Sequence, residues 1–132
     1  MNSNNPDELV REFHTKMGYP INDHPTADIP FGLTKLREWL ISKEVNELTT
    51  AVKDQDIISI ADALADIVYV CYGTALSYGI DLPATLAEVH RSNMTKDSGN
   101  DDYQDTAYAV AVKGDDYQPP NIAAVLGLDD EQ

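Results

Sequence analysis

The sequence predicts an all-α fold, a four- to five-helix bundle with an extended C-terminal segment, in a single domain spanning residues 1–132. Three observations predict it. Apolar residues recur three and four positions apart over long stretches, the spacing of one helix face. Start and stop residues bracket those stretches. Strand-like alternation is confined to a few residues of "TAYAVAVKG", too few to build a sheet.

The first helix is read from "NPDELVREFHTKMG". Asn5 is a cap, Pro6 takes the first helical position, Asp7 and Glu8 fill the first turn and Gly18 ends it. Leu9, Phe13 and Met17 recur every fourth residue and predict its apolar face. "YPINDHPTADIP" carries three prolines and reads as a loop. The second helix runs from about Leu33 to about Val52, with Leu33, Leu36, Leu40, Ile41, Val45, Leu48 and Val52 as its apolar set. "KDQD" is a short turn in which Asp54 or Asp56 caps the third helix, about Asp56 to Tyr78. That helix is apolar nearly all round, which predicts the buried centre of a bundle. Asp62, Asp66 and Gly73 interrupt it, so it reads as a buried helix and not a membrane span. Gly79 breaks it, and "DLPATLAEVHRSNMTK" starts again with Asp81 as cap, Pro83 in the first turn and a narrow stripe of Leu86, Val89 and Met94. "DSGNDDYQD" is a loop; its glycine is misplaced for an EF-hand. The remainder turns at Pro119 and Pro120 and ends in one helical turn.

Composition narrows the function. The 132 residues are 42% hydrophobic, enough to fold, and carry 23 acids against 9 bases for a net charge of −14. Such a chain offers no broad basic surface for nucleic acid and needs a metal ion or a local basic pocket to hold an anion. The one cysteine, Cys71, lies in the apolar run and reads as a small buried hydrophobe, which suits a reducing compartment. "MNSNNPDEL" lacks the basic leader and apolar core of a secretory signal, so a cytoplasmic location is expected (host cytoplasm, should the source be viral) with no membrane partner.

Four acids stand out. Glu44 and Glu47 share a face of the second helix; Asp62 and Asp66 share a face of the third. A short turn joins the two helices, so they pack antiparallel and the four carboxylates converge. Like charges in a low-dielectric seam repel and drive some carboxylates to take up protons, unless a divalent cation neutralises them. Carboxylate oxygens suit Mg2+, with Mn2+ able to substitute, and such sites favour phosphate co-ligands. The competing reading makes Glu44 and Glu47 a solvated face paired with Lys43 or Lys53, and the two aspartates the exposed edge of their helix.

"LREWLISKEVNEL", "IADALADIVYVCYGTALSYGIDL", "EVHRSNMTK" and "VKGDDYQPPNI" together resemble the all-α nucleoside triphosphate pyrophosphohydrolases, the MazG-like and phosphoribosyl-ATP pyrophosphohydrolase-like group, from about Glu8 to Ile122. The resemblance implies that Glu44, Glu47 and Asp66 are metal ligands, with Glu44 or Glu47 also the catalytic base, and that Asn93, Lys96 and Lys113 hold phosphate. Two motif acids are replaced, by Lys43 and Ala63; Asp62 is the substitute for the second, and Lys43 either removes a metal position or meets substrate phosphates. The implied activity is Mg2+-dependent hydrolysis of a nucleoside triphosphate, with dGTP as the particular candidate, to the monophosphate and pyrophosphate by a homodimer or homotetramer. Phe13, His14 and the Tyr19–His24 loop are either base contacts or core and surface. Two rivals stand beside this: an acidic, non-enzymatic DNA mimic or partner-binding module, and a monophosphate hydrolase or inactive binding relative.

Overall fold

The computed structural model describes residues 3–99 and 103–128. Among them are five α-helices: α1, Pro6–Met17; α2, Phe31–Lys53; α3, Ile57–Tyr78; α4, Leu82–Asn93; and the single turn α5, Ile122–Val125. No strand forms among the described residues; an isolated antiparallel bridge pairs Asp97 with Val112. The fold is all-α, as the sequence predicts. The chain divides into two compact units, Met1–Leu82 and Pro83–Gln132.

In the first unit the ends of α1 and α3 are fixed by the residues that predict them, whereas α2 starts at Phe31, two residues before the expected Leu33, with no side-chain cap. Asn5 Oδ1 accepts from the backbone N–H of Asp7 and Glu8, and Asp56 Oδ1 accepts from Ile58 and Ser59. Gly18 and Gly79 both end their helices at φ 71°, the left-handed conformation that glycine adopts without strain. The proline-containing loop before α2 satisfies the end of α3. Asn22 Nδ2 donates to Ser77 O at 2.6 Å, and the N–H groups of Asn22 and Thr26 donate to Leu76 O and Tyr78 O at 2.9 Å.

Helix α3 packs against both α1 and α2. Against α1 it forms the core cluster of Val10, Tyr72 and Leu76, with Leu82 beside it. The buried face of α1 is therefore Val10 and His14; Leu9 and Met17, expected to be inside, are exposed. Against α2 it presents Ala63, Asp66, Val70 and Gly73, alternately three and four residues apart. At Gly73 the missing side chain makes room for the Arg37 guanidinium of α2. Burial in α3 is concentrated in its C-terminal half, and Ile57, Ile58, Leu64 and Val68 are exposed. The expectation of a helix buried all round thus holds for one end only. By length and composition the helix could cross a membrane.

In the second unit the chain after α4 is tied back to it. Arg91 clasps Glu88 through Nε and Nη2 at 2.9 and 2.8 Å, and its guanidinium also donates to Gln118 Oε1 and Pro119 O. Glu88 accepts the backbone N–H of Asn121 at 2.7 Å, and Ser92 Oγ donates to Gln118 O at 2.7 Å. The Arg91 bonds, then the Asn121 N–H, hold the Glu88 carboxyl down at about 2. Arg91 is committed to this internal clasp.

A candidate metal centre in the seam between α2 and α3

The inward row of α2 is Leu33, Arg37, Leu40, Ile41, Glu44, Leu48 and Ala51. It spaces correctly for a helix face, yet two members are ionisable and both are buried. They are treated differently. Arg37 Nε donates to Thr74 Oγ1 at 3.1 Å and Nη2 donates to Val70 O at 2.9 Å, so its guanidinium bridges α2 to α3. Glu44, only 8% exposed, has one oxygen, Oε1, buried without a hydrogen-bond partner. Leaving a charged acceptor in that condition is costly, and such groups are rare in folded proteins.

Glu47, one turn on, and Asp66, across the seam on α3, point to the same place. One carboxylate oxygen from each of Glu44, Glu47 and Asp66 lies within 4.8 Å of the others, a spacing that suits a divalent cation. Burial raises the Asp66 carboxyl above the ordinary aspartate range, and the negative charges of Asp62 and Glu47 add to the shift. The structure therefore brings together three of the four acids that the sequence singled out. Asp62 lies outside that triangle, on the wall of an adjoining cavity of about 570 Å3, which Trp39, Ser42, Lys43, Asn46 and Glu47 also line. An orphaned buried oxygen, an all-oxygen donor set and an adjoining open cavity fit a hard divalent cation.

Lys43 complicates the triangle. Its Nζ stands 2.9 Å from Glu47 Oε2 and 3.5 Å from Glu44 Oε2. The bond to Glu47, and then the charges of Glu44 and Glu47, hold its ammonium protonated beyond the usual lysine range.

The remaining predicted residues lie in the second unit. Asn93 is the exposed last residue of α4, and Lys96 follows it, its N–H bonded to Asn93 O at 3.0 Å. The Asp97–Val112 bridge, with mutual bonds of 2.9 and 2.8 Å, sets Lys96 and Lys113 in neighbouring positions on the two segments it joins. Lys113 Nζ also rests 5.2 Å from the Tyr117 ring.

Two residues that sequence reasoning did not place in this seam are Arg37 and His14. His14 is buried, its Nδ1–H donating to Pro20 O at 3.2 Å, with Nε2 turned towards Gly73. A side chain at Gly73 would strike Arg37 Nη2 and come within 2.8 Å of His14 Nε2. The one available signal was Gly73 itself, a glycine in the interior of a helix.

The profile of the phosphoribosyl-ATP pyrophosphohydrolase family matches residues 10–93, a stretch that contains Glu44, Glu47, Asp62, Asp66 and Asn93 and stops short of Lys96 and Lys113. The uncharacterized protein L479 of Acanthamoeba polyphaga mimivirus is 33% identical over 124 residues, 83% of this chain and 49% of that protein. The chain thus spans about half the length of the curated relative it matches.

Proposed function

The chain belongs to the phosphoribosyl-ATP pyrophosphohydrolase family, and from that premise we propose that it is a Mg2+-dependent nucleoside triphosphate pyrophosphohydrolase, with a deoxynucleotide such as dGTP as substrate. Family membership points to pyrophosphohydrolase chemistry. The observation that carries the metal dependence is the unpartnered, buried Oε1 of Glu44 beside Glu47 and Asp66. Glu44, Glu47 and Asp66 would hold the cation, with Asp62 beside them. Bound there, Mg2+ supplies charge neutralisation for the phosphates and acidifies water.

The chain's own residues do the rest. Glu47 is half-exposed on the cavity wall, and it is the better placed of the two glutamates to accept the proton of the attacking water. Water adds at phosphorus, the P–O bond joining the α and β phosphates breaks, and the products are the monophosphate and pyrophosphate. Lys96 and Lys113, paired by the bridge, and Asn93 are suited to bind phosphate oxygens. Burial of Glu44 weighs against the DNA-mimic reading, since a mimic needs its acids displayed in solvent.

The family resemblance also favours a homo-oligomer. Pro6 and Leu9 of α1 and Leu64, Ala65, Val68 and Tyr69 of α3 line an apolar groove that a second copy would cover.

Incubation with a panel of nucleotides and Mg2+, followed by separation of products, tests the proposal. Monophosphate plus pyrophosphate is the expected outcome, with dGTP among the best substrates. Release of orthophosphate, or no turnover of any triphosphate, would overturn it.

A further inference from the structure

We infer that Lys43 is a resident counter-ion that a divalent cation must displace from Glu44 and Glu47, and that the displaced ammonium then meets the anionic phosphate chain of the ligand in the adjoining cavity. This rests on the proposed metal centre and goes beyond it, because it assigns Lys43, standing where the resembling family carries an acid, two successive partners.

The geometry carries it. Lys43 Nζ contacts one oxygen of each glutamate of the triangle, at 2.9 and 3.5 Å. It does not satisfy the seam: Glu44 Oε1 remains buried and without a partner. A single ammonium on a flexible stem therefore neutralises part of a site whose donors converge on one point. An ion held by Glu44, Glu47 and Asp66 would take the same carboxylates, and two cations at that separation repel. Lys43 can leave without disturbing the fold. Its side chain is 44% exposed, it belongs to no core cluster, and its stem already lies on the cavity wall with Trp39, Ser42 and Asn46. A lysine is a point charge able to change partners in this way, whereas a forked guanidinium in the seam, such as Arg37, is fixed by directed bonds.

The test uses the whole protein, stripped of metal with a chelator, and compares wild type with Lys43→Met and Lys43→Arg. Circular dichroism melts first show that each variant is folded. Mn2+ alone is then titrated, with binding read by electron paramagnetic resonance. Lys43→Met should bind Mn2+ about fivefold more tightly, the size expected for removing a half-exposed ion pair, and Lys43→Arg should stay close to wild type. Inorganic pyrophosphate titrated into the Mn2+-loaded proteins should bind Lys43→Met roughly tenfold more weakly than wild type. Equal Mn2+ affinity in wild type and Lys43→Met would overturn the competition, and unchanged pyrophosphate affinity would overturn the transfer to phosphate. A wild-type protein that binds no Mn2+ at all sinks the metal centre itself, so the two failures are told apart.

Discussion

In the seam between α2 and α3 two ionisable side chains, Arg37 and Glu44, are buried, whereas in the groove between α1 and α3 the apolar Leu9, Leu64 and Val68 stand in solvent. Stability alone would reverse both choices. A buried charge costs several kcal/mol unless it is paired and hydrogen-bonded, and apolar surface contributes about 25 cal/mol per Å2 when it leaves water. Within the seam the two charges also differ from one another. Arg37 is answered by Thr74 and Val70, so it fastens two helices; Glu44 is left half-answered, so it waits for something. On the proposed homo-oligomer the groove would likewise be covered, by an apolar surface. The contrast separates a costly feature that closes the fold, Arg37, from two that the proposed function would use, one for an ion and one for a second copy.

The largest effects should follow from neutralising the waiting side of the seam. Glu47→Gln and Asp66→Asn should each lower kcat by about a hundredfold or more in saturating Mg2+, because each removes a proposed cation ligand and the first also removes the proposed base. Neither should unfold the protein. Folding raises the Asp66 carboxyl above its unfolded value, so its contribution to stability is greatest at low pH and is lost as pH rises through the folded value. Asn at position 66 imitates the protonated form, and the metal-free variant should melt no lower than wild type at pH 7. Near wild-type turnover in either variant would dissolve the distinction between Arg37 and the acids.

The groove is next. Leu64→Asp with Val68→Asp places two charges on the exposed apolar row. Light scattering after size exclusion should then show protomers where the parent protein shows an assembly, with little change in the protomer's own melting. A parent protein that is monomeric at micromolar concentration would show that the groove awaits no second copy.

Much of this was legible in the sequence, for a physical reason. Caps are local: Asn5, Pro6 and Gly18, and Asp56 and Gly79, act within a few residues, so they read directly. The acids were legible because three- and four-residue spacings on two helices joined by a short turn leave few ways to pack. What the chain could not reveal is which side of a helix its neighbour occupies. Leu9, Phe13 and Met17 make as good a stripe on α1 as Val10 and His14 do, and only the positions of Tyr72 and Leu76 on α3 decide between them. Arg37 was illegible for the same reason. An arginine on a helix reads as solvated until Val70 and Thr74, more than thirty residues away, close over it.

Smaller effects test the answered side. Gly73→Ala would drive a methyl group against the Arg37 guanidinium and His14 Nε2. Backbone and directed bonds hold both neighbours, so neither yields easily, and the expected cost is about 2 kcal/mol. Chemical denaturation measures it. Metal affinity should also weaken, because Arg37 fixes α2 against α3 two turns before Glu44. A loss of stability with Mn2+ affinity intact would show that the Arg37 anchor and the acid triangle are independent.

The smallest expected effect is a pH dependence centred on His14. Burial is the main cause that lowers its pKa below the ordinary histidine value; the bond to Pro20 O opposes the shift, and the Arg37 charge reinforces it. The groups facing the ring are Arg37 from α2, Gly73 from α3, and Tyr19 and Pro20 from the loop after α1, with no carboxylate among them to welcome a proton. Because the folded value lies below the unfolded one, the unfolded chain binds more protons in the interval between them. Stability is therefore full above about pH 6.5 and falls as pH drops through the folded value. Metal-free wild type should lose a few degrees of melting temperature between pH 7 and pH 5.5, and His14→Gln should flatten that part of the profile, even at some cost in absolute stability. If the wild-type and His14→Gln profiles run parallel over this interval, the acid sensitivity comes from elsewhere, and the Arg37–His14 packing is indifferent to protonation.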